Sequence, residues 1–382
     1  MIADNRAARP SHPDLLSDDP NSDRGGRRQW RNRVSTARLI PQSWVTAPVR
    51  RWTKAVLRNI YHMRAALSSP SITILRLHEV HPLGYTPEKF EALLAPLTRQ
   101  MDFLRLDEAC SMLKARRTPR RDAIVLTFDD GLQNNLVYAY PLLKRYGTKA
   151  TFFVVPGLIA EGGWLWTHEV KVRLHSLAEG QVPQYPELYG CHQSLPGSME
   201  RASQTQKIVE NMKALPKARR QKIIEALRAL APHLLHGHPL HDLYGLMSWD
   251  ELRSLDRELI EIGSHSYTHG ILQGLADDQL EQEVKASREA IEAQLGRRVG
   301  SFCYPNGDFD EKGLHWVRRC YDQAVTVCEG GVSSEPDFHQ LPRIYVTDCG
   351  DTLFRIARYR GRTKSGPEEG GFPQAGYPLR GE

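Results

Sequence analysis

Apolar residues along this chain alternate between two rhythms. Short unbroken runs, rich in Ile, Val, Leu and Phe, occupy residues 72–77, 124–128, 150–155, 260–264, 300–304, 323–327 and 341–346. Runs of this length, bounded by turn residues, read as buried strands covered on both faces. Between them the apolar positions fall three or four apart. Phe90, Leu93, Leu94 and Leu97 mark a helix over 87–99, and 107–113 follows as a second. A helix after residue 131 ends at Gly147, and Ser248 and Glu251 form a capping box ahead of Leu252, Leu255 and Leu259. Leu280, Val284, Ser287, Ile291 and Leu295 share one face of a helix over 277–295 that stops at Gly296. Residues 313–320 and 352–359 complete the set. Strands alternating with helices predict a parallel α/β structure.

The alternation lapses between about 164 and 245, where 206–230 is helical apart from Pro216. This segment reads as a helical insertion in a loop, a lid or a substrate wall. At the front, residues 1–48 carry little apolar periodicity and many Asp, Arg, Ser, Pro and Gly, which predicts disorder. Residues 49–70 form an amphipathic helix and linker, in which Val49, Trp52, Val56, Ile60, Met63 and Leu67 make one stripe and basic residues fill the other faces. Such a helix, over 49–67, suits peripheral contact with an anionic membrane face, or packing on the main domain or a partner. The main domain spans 71–362, and the Gly/Pro/Ser-rich tail 363–382 is expected to be disordered.

Composition narrows the function classes. Of 382 residues, 40% are hydrophobic and 25% charged, which describes a soluble globular chain. The net charge of +6 comes with an Arg-rich front segment, and no basic stripe with interleaved aromatics marks a nucleic-acid module. The six cysteines show no paired spacing and fit a reducing compartment. With no signal peptide and no apolar run of membrane-spanning length, the expectation is a cytoplasmic protein, peripheral at most to the inner membrane face.

The candidate chemistry starts at Thr127-Phe128-Asp129-Asp130-Gly131, where a buried strand runs into two carboxylates. Paired carboxylates at such an opening call for a cation or a shared proton, although an Asp-Asp pair can also cap the next helix. Far downstream, Ser264-His265-Ser266-Tyr267-Thr268-His269 follows another strand. Histidines four apart on a helical turn can aim two imidazoles at one point. Together the two stretches suggest a two-His, one-carboxylate metal site with the other aspartate beside it.

These two stretches resemble the first two motifs of the polysaccharide deacetylase family, the NodB-homology domain of carbohydrate esterase family four. The resemblance spans residues 71–360 and implies a distorted, incompletely closed (β/α) barrel of about seven parallel strands with the helical insertion. It implies that Asp130, His265 and His269 bind one divalent metal and that Asp129 is the catalytic base. Zinc suits this ligand set best, and cobalt, manganese or iron would fit the same atoms. Three protein ligands leave open positions for water and substrate.

The third family motif keeps its proline and glycine in Cys303-Tyr304-Pro305-Asn306-Gly307 but has Cys303 where an arginine braces the base. Arg343, at the last strand, is the expected substitute, a surface ion pair being the alternative. The backbone N–H of Asn306 is expected in the oxyanion hole, with Tyr304 and Pro305 near the substrate. The fifth motif, which supplies a histidine as general acid, has no clean match. His78, at the end of the first strand, is the candidate, ahead of His339, and His81 reads as a loop residue. Leu77-His78-Glu79-Val80 also resembles the branch that handles exopolysaccharides and lipid-linked sugars. Trp164 and Trp166 open the insertion and could stack on a sugar or simply pack. The resemblance implies hydrolysis of an N-acetyl group on an amino sugar in a bacterial polysaccharide, oligosaccharide or glycolipid precursor. The alternatives are a non-catalytic glycan-binding barrel, or a deacylase of O-acetyl, formyl or cyclic-amide substrates.

Overall fold

The computed structural model describes residues 69–177, 198–213, 215–231 and 240–360. All belong to one compact unit, Arg51–Glu382. The segments expected to be disordered, 1–48 and 363–382, and the amphipathic stripe over 49–67 lie outside the described residues. No helix among the described residues is long and apolar enough to cross a membrane.

The strands are β1 (Ile72–Leu77), β2 (Asp102–Phe103), β3 (Ala123–Phe128), β4 (Ala150–Val154), β5 (Ile260–Ser264), β6 (Ser301–Cys303), β7 (Gln323–Val325) and β8 (Ile344–Tyr345). They pair in the order β7-β6-β5-β4-β3-β1-β8, all parallel, with the short β2 on the lower half of β3. Only β2 is missing from the sequence expectation, because two residues carry no periodicity. The sheet curls into a barrel that one segment bridges. Thr326 N–H donates to the Leu341 carbonyl on the β7 side, and three residues later Ile344 pairs with Leu75 of β1.

Strand β3 lies between β1 and β4, and all six of its residues are buried. Its alternate residues serve two cores. Ile124, Leu126 and Phe128 pack outward with Phe90, Leu94 and Leu97 of the helix Pro87–Gln100. Ala123 and Val125 pack with Ile74, Phe153, Cys303, Val325 and Leu341 from other strands. This double covering is why β3 shows no polar alternation.

The insertion between β4 and β5 carries the helices Trp166–Ser176, Ser198–Lys213, Lys217–Leu230 and His241–Tyr244. The first three enclose a core of their own, including Val170, Leu174, Ile208, Met212, Ile223 and Leu227. Inside it Glu169 accepts from both Arg173 and Arg228.

Two local expectations are corrected. The helix over 277–295 is not uniform: Asp277–Leu280 runs into a π-helical Glu281–Ala286 and then Ser287–Leu295. The segment His265–His269 is not a helical turn. Ser266 and His269 have φ of 61° and 63°, so the backbone twists left-handed at two points where a right-handed helix would have to continue. The two imidazoles converge by loop geometry rather than by helical spacing.

A polar network lies low in the sheet, below the site. Glu261 of β5 accepts from Thr151 Oγ1 (2.8 Å), from the Asp107 backbone N–H (3.1 Å) and from Ser301 Oγ. Burial, with the charge of Asp107 adding to it, pushes the Glu261 carboxyl up to about 7 against the opposing hydrogen bonds. The folded chain therefore holds a proton there that the unfolded chain releases from about pH 4.5. This contribution to stability is full below that pH and is lost as pH rises through about 7. Glu261→Gln should flatten this part of the profile. Denaturant midpoints between pH 5 and 8 would check it, and a variant with the wild-type slope would show that Glu261 does not titrate there.

Candidate active site

The C-terminal ends of β1, β3, β5 and β6 converge on one opening, the position from which barrel folds present chemistry. Immediately beyond these ends stand His78, Asp129, His265 and Tyr304. Gly131 makes the exit from β3 possible. It has φ of 68°, and a Cβ there would lie 2.9 Å from Val154 Cγ1. Asp130 beside it also has a positive φ, 77°, a conformation that costs energy in a non-glycine residue and clusters at functional sites.

Asp129 is almost completely buried and is gripped by Arg343, itself 1% exposed. Nη1 of Arg343 donates to Asp129 Oδ1 at 2.7 Å and Nη2 to Oδ2 at 2.9 Å. The rest of the guanidinium is satisfied by Thr127 Oγ1 (3.0 Å), the Thr326 carbonyl (2.8 Å) and Cys303 Sγ (3.2 Å). The alternative of a surface ion pair is thereby excluded. Burial alone would raise the Asp129 pKa, but the charge of Arg343, helped by His78, holds it well below the usual carboxylate range. Cys303, where the family has arginine, fills the space beside this pair. Its thiol donates to Asp129 Oδ1 at 3.5 Å, and burial pushes its pKa well up, so it stays protonated.

Asp130, His265 and His269 form a second group whose ligand atoms lie within 4.8 Å of one another. Asp130 Oδ1 is 3.5 Å from His265 Nε2 and 3.3 Å from His269 Nε2. A four-coordinate cation with bonds of about 2.1 Å separates its ligand atoms by roughly 3.4 Å. Oδ1 is also buried with no hydrogen-bond partner, which is costly for a carboxylate unless a cation meets it. His265 Nδ1–H donates to the Cys303 carbonyl at 2.8 Å, leaving the Nε2 lone pair facing Asp130. Burial and His269 lower the His265 pKa to about 4, so the ring is neutral. Asp129, His265 and Cys303 also converge. However, both oxygens of Asp129 are engaged by Arg343 and the thiol is protonated, so that trio is a poor cation site.

Supporting residues that the sequence reading missed hold these groups. Glu283, in the π-helical segment, accepts from Tyr267 N–H through its carbonyl (3.1 Å) and from Thr268 N–H through its carboxylate (2.9 Å), fixing the loop that carries His269. Asn134 accepts from Val80 N–H (3.1 Å) and donates to the Leu243 carbonyl (2.7 Å), while Asn135 donates to the His78 carbonyl (2.9 Å). These amides tie the end of β1 and the returning insertion to the Asp-Asp turn. The adjacent asparagines in an otherwise apolar helix start were the available signal.

His78 Nε2 stands 3.7 Å from Asp129 Oδ2, with its side chain 30% exposed. Burial lowers its pKa, against the opposing charges of Asp129 and Asp130. His339 is elsewhere, bonded through Nε2 to the Tyr321 carbonyl. Asn306 is exposed at φ 59° after the buried Pro305. Of the expected substrate contacts, Tyr304 is buried, while Trp164 and Trp166 are half-buried. The Tyr304 ring is buried, stacked on Phe309, with its hydroxyl donating to the His339 carbonyl. Trp166 packs on the insertion core beneath Arg220. Trp164 sits edge-on to His241 beside Tyr244 and Val172. In each case the packing demand of a large aromatic prevails.

Comparison with known proteins agrees with this geometry. The family profile described as polysaccharide deacetylase matches residues 116–321. YxkH of Bacillus subtilis strain 168, provisionally named a polysaccharide deacetylase, is 32% identical over 241 residues, 63% of this chain. The match covers 57% of the length of that relative. The Streptococcus pyogenes deacetylase PplD, solved in complex with acetate, superposes with a TM-score of 0.51 at 18% identity, covering 77% of this chain and all of that one, a likeness of fold. On the strength of the profile match over more than half its length, the chain belongs to the polysaccharide deacetylase family.

Proposed function

We propose that the chain is a metal-dependent hydrolase that removes the N-acetyl group from an amino sugar in a bacterial polysaccharide, oligosaccharide or glycolipid precursor. The observation that carries this reading is the juxtaposition of two carboxylates in opposite states of satisfaction. Asp129 is saturated by Arg343, while the neighbouring Asp130 presents a buried, unpartnered oxygen to two imidazoles. A structural site usually closes its shell with four protein ligands, whereas three are grouped here among the described residues, and hydrolysis needs a second carboxylate to handle a proton.

Asp130, His265 and His269 would hold the cation, two imidazoles and one carboxylate with open positions being a catalytic zinc donor set. A divalent ion there supplies Lewis acidity toward the acyl oxygen and the attacking water. Asp129 stays ionised beside it and takes the proton of the water, and the Arg343 fork keeps the carboxylate in one orientation. His78 shares that space, and the proton taken by Asp129 passes through its ring to the leaving amine. The Asn306 N–H donates to the oxyanion. The N-acetylated glycan binds across the opening at the strand ends.

Acetate release from N-acetylglucosamine oligomers and O-acetylated glycans, with metal-loaded and chelated protein, tests the reading. Release from the N-acetyl series that stops on chelation and returns with a divalent ion is expected. Release from O-acetyl glycans alone, or indifferent to chelation, would overturn it. Asp130→Ala and His265→Ala should each lose the metal, read as metal per chain, and full occupancy would remove the residue from the ligand set. Asp129→Asn should keep the metal and lower kcat on the order of 10²–10⁴-fold, the usual weight of a general base. Arg343→Ala leaves Asp129 buried and unpaired, so denaturant melts should show a loss of roughly 3–5 kcal/mol. A loss below 1 kcal/mol would mean that water replaces the guanidinium.

A further inference from the structure

Beside the metal-binding group, toward the insertion, lies a second polar cluster that the proposed chemistry leaves unused. Glu79 follows His78 at the end of β1. Its Oε2 stands 3.1 Å from His81 Nε2 and 3.9 Å from His168 Nε2, and His168 belongs to the helix Trp166–Ser176 of the insertion. Tyr244, on the returning helix, sets its ring edge-on to His81 at 5.5 Å and tilted to His168 at 5.6 Å between centroids. Glu79, His81 and His168 thus bring barrel and insertion together at one point.

Two features go beyond what packing requires. His168 is 6% exposed, yet its Nδ1 has no hydrogen-bond partner. Buried polar atoms left this way usually meet water or a ligand. The Glu79 side chain is also 28% exposed, so part of it faces solvent while Oε2 and His168 Nδ1 lie beneath.

The charge states select the kind of ligand. Burial opposes ionisation of Glu79, but His81, Lys171 and His168 outweigh it and keep the group a carboxylate. Burial and Lys171 lower the His168 pKa to about 4, so its ring is neutral, one nitrogen donating and the other accepting. A second metal does not fit. His81 Nδ1 accepts from Leu83 N–H at 3.2 Å, which places its proton on Nε2 facing Glu79 and removes that nitrogen as a ligand. A carboxylate acceptor beside a donor–acceptor imidazole matches hydroxyl groups, which donate and accept together. Glu79 directly follows His78, whose Nε2 stands 3.7 Å from Asp129 Oδ2, so the cluster borders the site.

We propose that Glu79 and His168 form a recognition site for the hydroxyl groups of an uncharged sugar whose acetamide lies at Asp129 and Asp130. The site rests on the deacetylase reading and deepens it, making the insertion part of the substrate wall. Glu79 and His168 are specificity-determining residues, outside the proton-transfer steps. The carboxylate also disfavours acidic sugars at this position.

The test uses the metal-loaded full chain with Glu79→Gln and His168→Phe, which keep side-chain size. The N-acetylglucosamine tetramer and p-nitrophenyl acetate, which has no sugar hydroxyls, serve as probes. Each variant should raise KM for the tetramer about tenfold, one charge-assisted hydrogen bond of about 1.4 kcal/mol. The tetramer kcat and p-nitrophenyl acetate turnover should stay at wild-type values. An unchanged KM overturns the proposal. So does a parallel fall in ester turnover and melting temperature, which would assign the pair to docking the insertion. Calorimetric titration of the tetramer separates the two readings. If wild type releases no acetate, the deacetylase reading fails, and a tenfold weaker Kd in the variants still supports the recognition site. Equal Kd values, or no binding by wild type, overturn it.

Discussion

The buried ion pair of Asp129 and Arg343 is the constraint on which the site's arrangement depends. Two charges removed from water are tolerated only when every donor and lone pair finds a partner. Here the guanidinium, just before β8, reaches two carboxylate oxygens, a hydroxyl, a carbonyl and a sulfur, contributed by residues next to or within β3, β6 and β7. The pair therefore ties together strands far apart in sequence, at the place where a single segment bridges the barrel. It also forces a division of labour, since a carboxylate filled by a fork of N–H donors is not available to a cation, and the neighbouring aspartate is.

That neighbour is positioned by backbone twist. Asp130 and His269 both adopt left-handed conformations, and Asn306 does so across the opening. Such angles are held only if the surroundings dictate them. Glu283 supplies part of that hold through the π-helical segment, where a helical carbonyl is free to accept from Tyr267. The Cys303 carbonyl supplies another part by fixing the His265 tautomer. One residue thus serves both halves of the site: its thiol contacts the ion pair and its carbonyl orients the His265 ring.

The first three helices of the insertion enclose an apolar core, and among the described residues the insertion accepts hydrogen bonds from Gln133 N–H and the Asn134 amide, just after the Asp-Asp turn. Asn134 bonds the Leu243 carbonyl with the same amide that steadies the loop after β1. A change in how the insertion seats would therefore be felt at His78 and Glu79, a route by which a peripheral module can affect the chemistry.

Sequence by itself determined the strands, most helices and the identity of the charged groups. Continuous apolar runs and glycine stops are local signals that tertiary context rarely overrides, and an Asp-Asp after a buried strand with two distant histidines restricts the chemistry sharply. The position of Arg343 was legible only as a substitute for a missing arginine, and only the fold decided that its side chain reaches Asp129 rather than solvent. The spacing of His265 and His269 was read as helical, whereas loop hydrogen bonds to Glu283 set it. Tyr304 is expected near the substrate, and the fold buries its ring; Trp164 and Trp166, for which sequence leaves stacking and packing open, lie half-buried against His241 and the insertion core. Local periodicity reports which residues want burial. It cannot report which distant side chains meet, because that depends on the register and closure of the barrel.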